Sequence, residues 1–473
     1  MTSESIQKPK VAIERADTVV ECLSKSIENL GGIRKFVQEE DIIFLKISLR
    51  LPFGFPSNSN FDLIKEVIDL CRQANPKKIY VGAYPAREIT LSKFDDLMDL
   101  EEFFRNLGAE FVYLDNSDVY HTNSVKSEEL KKIRENTLDE VKLDNVVVEI
   151  PKIIMDSDKL ININQVNVSP KNVCTTSLIN QYSILPYNYR NLSFTGKEKS
   201  NIIENDLYQE EQTNRILETY LIKKPTLTIN NLFYVLEGAG PFIYKDSNLK
   251  QTKLLVVGND SIAVDVITLM LMNIDTSKNS LLVEAVNRDI GPKLLSDIEL
   301  VGVDLDMNKF EIQVCEEELS KIRMQNLHTH CGKMCSGCFS KAYHLIQIIK
   351  SYLIKDLKYI GKNNLVVGLK PPEISPESDI ILFGDCAIES TEDYDFRSLK
   401  KKTLIRKNEK IVKNKKILEI SGCPPNLYQT FHALFDYFGK KNMPNLQFYF
   451  KVLQKSSLED SKERLQKWEG LGK

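Results

Sequence analysis

Three thiols crowd into eight residues at Cys331-Gly-Lys-Met-Cys335-Ser-Gly-Cys338, with His328 and His330 just upstream. A Cys-x-x-Cys pair lets two thiolates reach neighbouring corners of one cluster or one metal ion. Gly337 allows a tight backbone turn between them. The helix predicted to follow, from Phe339 to Leu353, would aim its first amides at a bound anion, and backbone donors near sulfur stabilise a negative cluster. Cys386 and Cys423 stand in the same setting further on, each near a glycine at a strand end, and Pro424-Pro425 stiffens the second turn. Four ligands result, Cys335, Cys338, Cys386 and Cys423, with Cys331 as a possible substitute. One iron–sulfur cluster is the expected occupant, with a metal ion as the alternative.

The same residues admit other chemistry. His328, His330, Cys331, Cys335 and Cys338 could hold a structural zinc in one loop, but that leaves Cys386 and Cys423 unexplained. Cys331, Cys335 and Cys338 also have the Cys-x3-Cys-x2-Cys spacing of radical S-adenosylmethionine enzymes. Those enzymes resemble a barrel built downstream of the motif, whereas little chain remains here, and no aromatic residue precedes the third cysteine.

These thiols must be positioned by a sheet. Strands are expected at Leu365 to Leu369, Ile380 to Phe383 and Lys416 to Ile420, with helices from Phe339 and from Leu427 to Phe438, so the cysteine turns share one edge of a small α/β sheet. Upstream, from Val11 to about Asp115, strand and helix alternate. Ile42 to Leu49 is an apolar run, Phe61 to Ala74 carries Leu63, Ile64, Val67, Ile68 and Cys71 on one helical face, and Lys78 to Tyr84 is extended. Phe94 to Leu107 is amphipathic. That order predicts a parallel or mixed sheet with packed helices. Further strands are expected at Asn145 to Ile150, Lys159 to Ile163, Thr226 to Ile229, Leu254 to Val257 and Phe310 to Val314, and helices at Glu204 to Ile222 and from Asp260. Asn116 to Lys142 reads as a surface excursion, Asn164 to Lys171 as a polar segment, and Glu237-Gly238-Ala239-Gly240-Pro241 as a turn. The division expected is 1–325 as an α/β domain, 326–440 as a smaller cluster-binding α/β domain, and 441–473 as a charged tail.

The three cysteine motifs together, Cys335 to Cys338, Gly384 to Ala387 and Gly422 to Pro425, resemble the proximal-cluster pattern of nickel–iron hydrogenase small subunits and the related complex I subunit. The resemblance implies a 4Fe-4S cluster on those four cysteines within a flavodoxin-like domain. The region from about Val11 to Phe310 resembles the family called domain of unknown function 362, some of whose members are described as iron–sulfur center proteins. That likeness rests on Lys46-Ile47, Val81-Gly82, Pro151-Lys152 with Leu160-Ile161-Asn162, the 237–241 turn, and Asn259-Asp260 with Ala263-Val264-Asp265. Where family members tend to carry Lys-x-Lys-Thr-His, this chain has Gln165-Val166-Asn167-Val168-Ser169. A Lys-Asn pair has become Ile179-Asn180, and an aspartate has become Asn230. Several charges are thus neutral here, which implies a lost or altered activity if they held an anion or moved protons. Lys46, Glu237 and Asp265 remain as ionisable candidates for a cleft at strand ends, although Asp265 could equally cap a helix, and Gly238 and Gly240 could serve only the turn.

Composition narrows the class. Lys plus Arg number 63 against 66 Asp plus Glu, a formal charge of -3, so nothing global draws the chain to nucleic acid or an anionic membrane. Ile262 to Ile274 is the longest apolar stretch; it contains Asp265 and is shorter than the roughly 20 residues of a membrane span. Met1 to Asp17 lacks the apolar segment of a secretory signal, which predicts a cytoplasmic protein. Nine cysteines, an odd number, argue for reduced thiols or metal ligands over a disulfide framework. Cys22, Cys71, Cys174 and Cys315 read as buried or incidental thiols, His344 and His432 as packed histidines, and His121 as a lone loop residue. The basic run Lys400-Lys401-Lys402, Arg406-Lys407, Lys410, Lys413, Lys415-Lys416 reads as a solvated face, or as a dock for an acidic electron carrier such as a ferredoxin. The expected function is electron transfer or redox support; the alternatives are a cluster-dependent reductase or lyase with an open iron, and a zinc scaffold.

Overall fold

A computed structural model of the chain describes residues 8–50, 54–85, 91–114, 138–143, 146–190, 192, 194, 199–353, 362–374, 378–398 and 417–438. His121, the basic run 400–416, the expected tail 441–473 and most of the 116–142 excursion lie outside these residues.

Alternation of apolar segments with helical periods gives a large mixed sheet. Its strands are β1 (Lys10–Arg15), β2 (Ile42–Ile47), β3 (Lys78–Gly82), β4 (Glu110–Val112), β7 (Lys159–Asn167), β8 (Leu227–Leu236), β9 (Leu249–Gln251), β10 (Leu254–Gly258) and β11 (Glu299–Gly302). The order is β11-β1-β10-β8-β7-β2-β3-β4, with β9 beside β8. The run from β8 to β4 is parallel, whereas β10 pairs antiparallel with both β1 and β8. β5 (Leu138–Leu143) and β6 (Val146–Pro151) form a separate hairpin at the end of the excursion.

The helix Phe61–Arg72 illustrates how sequence becomes packing. Asn60 accepts from the amides of Asp62 and Leu63, satisfying two otherwise unpaired donors. Leu63, Ile64, Val67, Ile68 and Cys71 then fall on one face and are buried, each large aliphatic group contributing roughly 1.5–3 kcal/mol. The amphipathic stretch after Phe94 instead forms two helices, Leu91–Met98 and Leu100–Asn106, because Asp99 takes a left-handed conformation (φ 50°) between them.

Two further expectations fail for physical reasons. Asn164 to Asn167 continue β7 as a strand, because their amides find partners on β8: Asn164 donates to Asn230 Oδ1 at 2.9 Å and Asn231 donates to Gln165 Oε1 at 2.9 Å. Phe310 to Val314 is not a strand; its backbone makes isolated bonds, such as Phe310 N to Leu271 O at 2.8 Å, and no ladder.

A second sheet follows, of β12 (Leu327–Cys331), β13 (Asn363–Val367), β14 (Asp379–Phe383) and β15 (Ile417–Ile420). All three pairings are parallel and the strands lie in sequence order, so the reversal that defines a flavodoxin-like order is not found among the described strands. The expected division near residue 325 falls between the two sheets. One buried apolar cluster nevertheless runs from Val11 to Leu434 and takes in both. No described helix is long and apolar enough to cross a membrane.

Candidate metal centre

In a parallel sheet all strands end on the same edge, so residues just beyond them converge. Cys331 closes β12 and leads through Gly332-Lys-Met to Cys335, Cys386 lies three residues past β14, and Cys423 three past β15. The last two turns are tied together: Asp385 Oδ1 accepts from Gly422 N at 2.7 Å, the Gly422 carbonyl accepts from Asp385 N at 3.2 Å, and Gly384 N donates to Ile420 O at 2.8 Å. Gly422 is required there, since its φ of 132° disfavours a side chain and a Cβ would meet Pro425 Cα at 2.8 Å.

The helix after the first turn starts earlier than expected, at Ser336, and runs to Tyr352 with Cys335 as its N-cap. Gly337 therefore lies inside the helix, where it serves close packing: a Cβ would meet the Tyr208 ring at 2.6 Å. The carboxylate of Asp206, itself at the start of the helix Leu207–Ile222, accepts from Ser336 N at 3.2 Å and Ser336 Oγ at 3.0 Å. The first part of the chain thus clamps the cysteine-bearing helix.

Cys335, Cys338, Cys386 and Cys423 are 5, 4, 7 and 5% exposed, all buried. Three of them pack in one apolar shell with Leu192, Phe194, Ile202 and Tyr208. Their charges interact. A hydrogen bond from the Cys338 thiol lowers Cys335 to about 6, against burial, with help from the Cys338 and Gly337 amides. Cys338 is held well above the usual thiol value by that same bond, by burial and by the charges of Cys335, Cys386 and Cys423. Burial, then Cys423, pushes Cys386 up to about 11, and burial also raises Cys423. The first thiol ionises readily and the other three resist, as mutually repelling groups in an apolar shell must. A bound cation reverses that balance and deprotonates coordinating thiols outright.

Two lysines flank the thiols. Lys171 Nζ is shut off from solvent with no hydrogen-bond partner among the described residues and lies 3.9 Å from the centroid of the Tyr208 ring. Burial lowers it to about 7, against the charges of Asp206 and Cys335. Lys199 pairs with Asp385 at 3.7 Å and Glu389 at 3.9 Å; burial would lower its pKa, but Cys423, Glu389, Asp385 and Cys386 outweigh that and raise it. Sequence reasoning missed both lysines, as well as Tyr208 and Phe194. All come from the segment 171–208, far upstream of the cysteine motifs, and no local spacing signals them.

Cys331 stands apart. It is half-buried, its thiol is raised by burial, and none of the other cysteines contributes to that shift. Strand alternation sends His328 and His330 to the face of β12 opposite Cys331, where His330 Nε2 bonds Asn364 Oδ1 at 2.9 Å. Cys331 and Cys335 line a cavity of ≈ 840 Å³ together with Asn172, Gln209, Ser280 and Phe339, a size suited to a small molecule. A cavity of ≈ 960 Å³ lies elsewhere, at the amino ends of β3 and β4 around Lys78 and Glu110. Among the described residues, no three or more His, Cys, Asp or Glu side chains gather closely enough to hold a metal ion.

The remaining candidates are structural. Asp265 is fully buried and accepts from Ser177 N at 2.9 Å, Leu178 N at 3.1 Å and Asn230 Nδ2 at 2.8 Å, so it caps a neighbouring helix, Ser177–Gln181, across the core. Burial raises its pKa and these bonds oppose the rise. Glu237 braces its turn by accepting from Asn248 Nδ2 at 2.6 Å and Gln313 N at 2.9 Å. Cys22, Cys71 and Cys174 are fully buried and Cys315 partly so, each thiol raised by burial. His344 packs against Phe242 and Tyr244 and bonds the Tyr244 hydroxyl at 2.7 Å, whereas His432 is exposed on its helix.

No curated protein and no solved structure matches the chain. The segment from β2 to the helix Ser261–Leu271, which stops short of the four cysteines, does have a match: residues 43–270 fit the family model described as domain of unknown function (DUF362).

Proposed function

We propose that Cys335, Cys338, Cys386 and Cys423 hold one 4Fe-4S cluster and that the protein serves electron transfer, or redox support for a partner or for chemistry in its own cleft. The observation that carries this reading is the presence of four buried, mutually repelling thiols at one sheet edge, beside the Lys171 amine, which has no hydrogen-bond acceptor among the described residues. A buried cation without a partner is costly, and an anionic thiolate-ligated cluster would offset it. The donor set also fits: four cysteines are the usual complement of a cubane. Because its irons occupy separate corners, a cubane does not require its ligands to converge on one point, as a zinc ion does at about 2.3 Å.

When bound, the cluster supplies one-electron chemistry. The chain's own residues then set its surroundings. Leu192, Phe194, Ile202 and Tyr208 exclude water, the amides of Gly337 and Cys338 face the Cys335 sulfur, and Lys171 and Lys199 counter negative charge from two sides. An acidic carrier such as a ferredoxin would meet the basic run 400–416, which lies outside the described residues.

A second reading is favoured by one observation. The ≈ 840 Å³ cavity reaches Cys331 and Cys335, so a small substrate could approach the cluster, as a reductase or lyase would require. The test is anaerobic reconstitution with iron and sulfide followed by reduction. A reducible chromophore with a paramagnetic signal supports the cluster, a change of that signal on adding a candidate substrate favours the enzyme, and a colourless zinc protein rejects both.

A further inference from the structure

The carboxylate of Asp206 meets the amino ends of two helices. It precedes Leu207–Ile222, where its Oδ1 accepts from Gln209 N at 3.3 Å. Both of its oxygens also accept from Ser336 N at 3.2 Å, and Oδ1 accepts from Ser336 Oγ at 3.0 Å, where Ser336 opens the helix Ser336–Tyr352. The helices run 16 and 17 residues, so two positive dipole ends converge on one negative group. Asp206 reaches this position in a left-handed conformation (φ 40°, ψ 51°), which few side chains other than those of asparagine and aspartate adopt. Such a conformation persists where its surroundings demand it. A second contact lies beside the first: Gly337 presents no side chain, and the Tyr208 ring packs so close that a Cβ there would meet it at 2.6 Å. Together the two contacts fix the position and the direction of the first turn.

That direction governs what the Cys335 sulfur meets. Cys335 is the N-cap, with extended backbone (φ -79°, ψ 165°), and its carbonyl accepts the first helical bond, from Phe339 N at 3.1 Å. The side chain of an N-cap residue lies over the second and third amides of its helix, here those of Gly337 and Cys338. The first amide, of Ser336, goes to Asp206 instead. Asp206 thus takes the early amide that the sulfur does not use and leaves it the two that it does. The Cys338 thiol lowers the Cys335 pKa most, against burial, and the Cys338 and Gly337 amides add to that lowering, as donors aimed at a thiolate do.

We propose that Asp206 is the positioning residue of the cysteine site: by holding the first turn of Ser336–Tyr352 it keeps the Gly337 and Cys338 amides on the Cys335 sulfur. This role deepens the cluster reading and rests on it for its redox consequence. Amide bonds to a cluster's sulfurs favour the reduced, more negative state and so raise the reduction potential.

The test compares two variants of the full-length protein that both remove the carboxylate charge. Asp206→Asn keeps an oxygen acceptor for Ser336, and Asp206→Gly removes it while tolerating the left-handed backbone. Because charge is lost in both, a difference between them reports the placement of the first turn. In reconstituted protein titrated against redox mediators, the reduction potential of Asp206→Gly is expected to lie below that of Asp206→Asn, by roughly tenfold in the redox equilibrium or about 59 mV for one electron. In metal-free protein, amide exchange of the segment 336–338, followed by mass spectrometry, is expected to be roughly tenfold faster in Asp206→Gly than in Asp206→Asn. Equal potentials in the two loaded variants, or equal exchange in the two metal-free ones, would overturn the role assigned to Asp206. A wild-type protein that takes up no iron and sulfide would overturn the cluster reading instead, and the exchange rates would still decide whether Asp206 places the turn.

Discussion

Along β7, β8 and the helix Ser261–Leu271 packed on them the chain buries Asn162, Asn164, Asn230 and Asp265, and the protein itself supplies partners for most of their polar atoms. At the carboxyl edge of the second sheet it buries four thiols and shuts off Lys171 Nζ, which has no hydrogen-bond acceptor among the described residues. Both regions put polar groups into an apolar interior, but the first is nearly closed, with Asn164 Oδ1 the atom it leaves unpaired among these four residues. A closed network fixes one fold. A shut-off amine without an acceptor costs more than an unpaired amide oxygen, and marks a place that something else would complete. The difference separates Asp265, which the sequence left open between a cleft residue and a helix cap and which is a brace, from Lys171, which carried no signal and lies beside the thiols.

The comparison can be broken most sharply at the cysteine edge. Cys386→Ser combined with Cys423→Ser is expected to remove essentially all iron, acid-labile sulfide and visible colour, leaving the chain folded by circular dichroism; retained colour would refute the ligand set. On the closed side, Asp265→Ala strands three buried donors, each worth about 1–3 kcal/mol. A loss of roughly 3 kcal/mol or more in urea unfolding is expected, with the iron content of the folded fraction unchanged. Gly337→Ala drives a methyl into the Tyr208 ring and is expected to cost about 1–3 kcal/mol and to lower cluster occupancy as well, because Tyr208 is part of the thiol shell.

Acid titration probes the joint between the two sheets. Burial, with help from Lys341, holds His344 at about 3 in the folded protein against an ordinary value of 6.5. Between these values the unfolded chain binds the extra proton, so stability falls as pH drops from about 6.5 towards 3, by at most about 1.4 kcal/mol per pH unit. His344→Gln should flatten that slope in denaturant unfolding at successive pH values. The smallest effect is expected from Cys331→Ser, which should leave iron and sulfide unchanged, since Cys331 takes no part in the charge coupling of the other four.

Much of the fold was legible because its signals are local. The apolar face of Phe61–Arg72, the helix Leu427–Phe438 and the strands β14 and β15 follow directly from periodicity and turn residues. The cysteine turns were legible for the same reason, since thiols and glycines lie next to one another in sequence. What could not be read depends on partners distant along the chain. The asparagines of β7 read only as a polar segment until β8 supplies their amide partners. The carboxylate of Asp206 finds a partner in Ser336, 130 residues on. Lys171 and Lys199 acquire meaning only once the second sheet stands beside them.

The most direct measurement is iron, acid-labile sulfide and zinc content of anaerobically purified protein, with its visible absorption and its paramagnetic spectrum after reduction. About four irons and four sulfides per chain with a reducible chromophore is the predicted result. One zinc per chain and no sulfide would contradict it, and would leave the thiol edge a structural site.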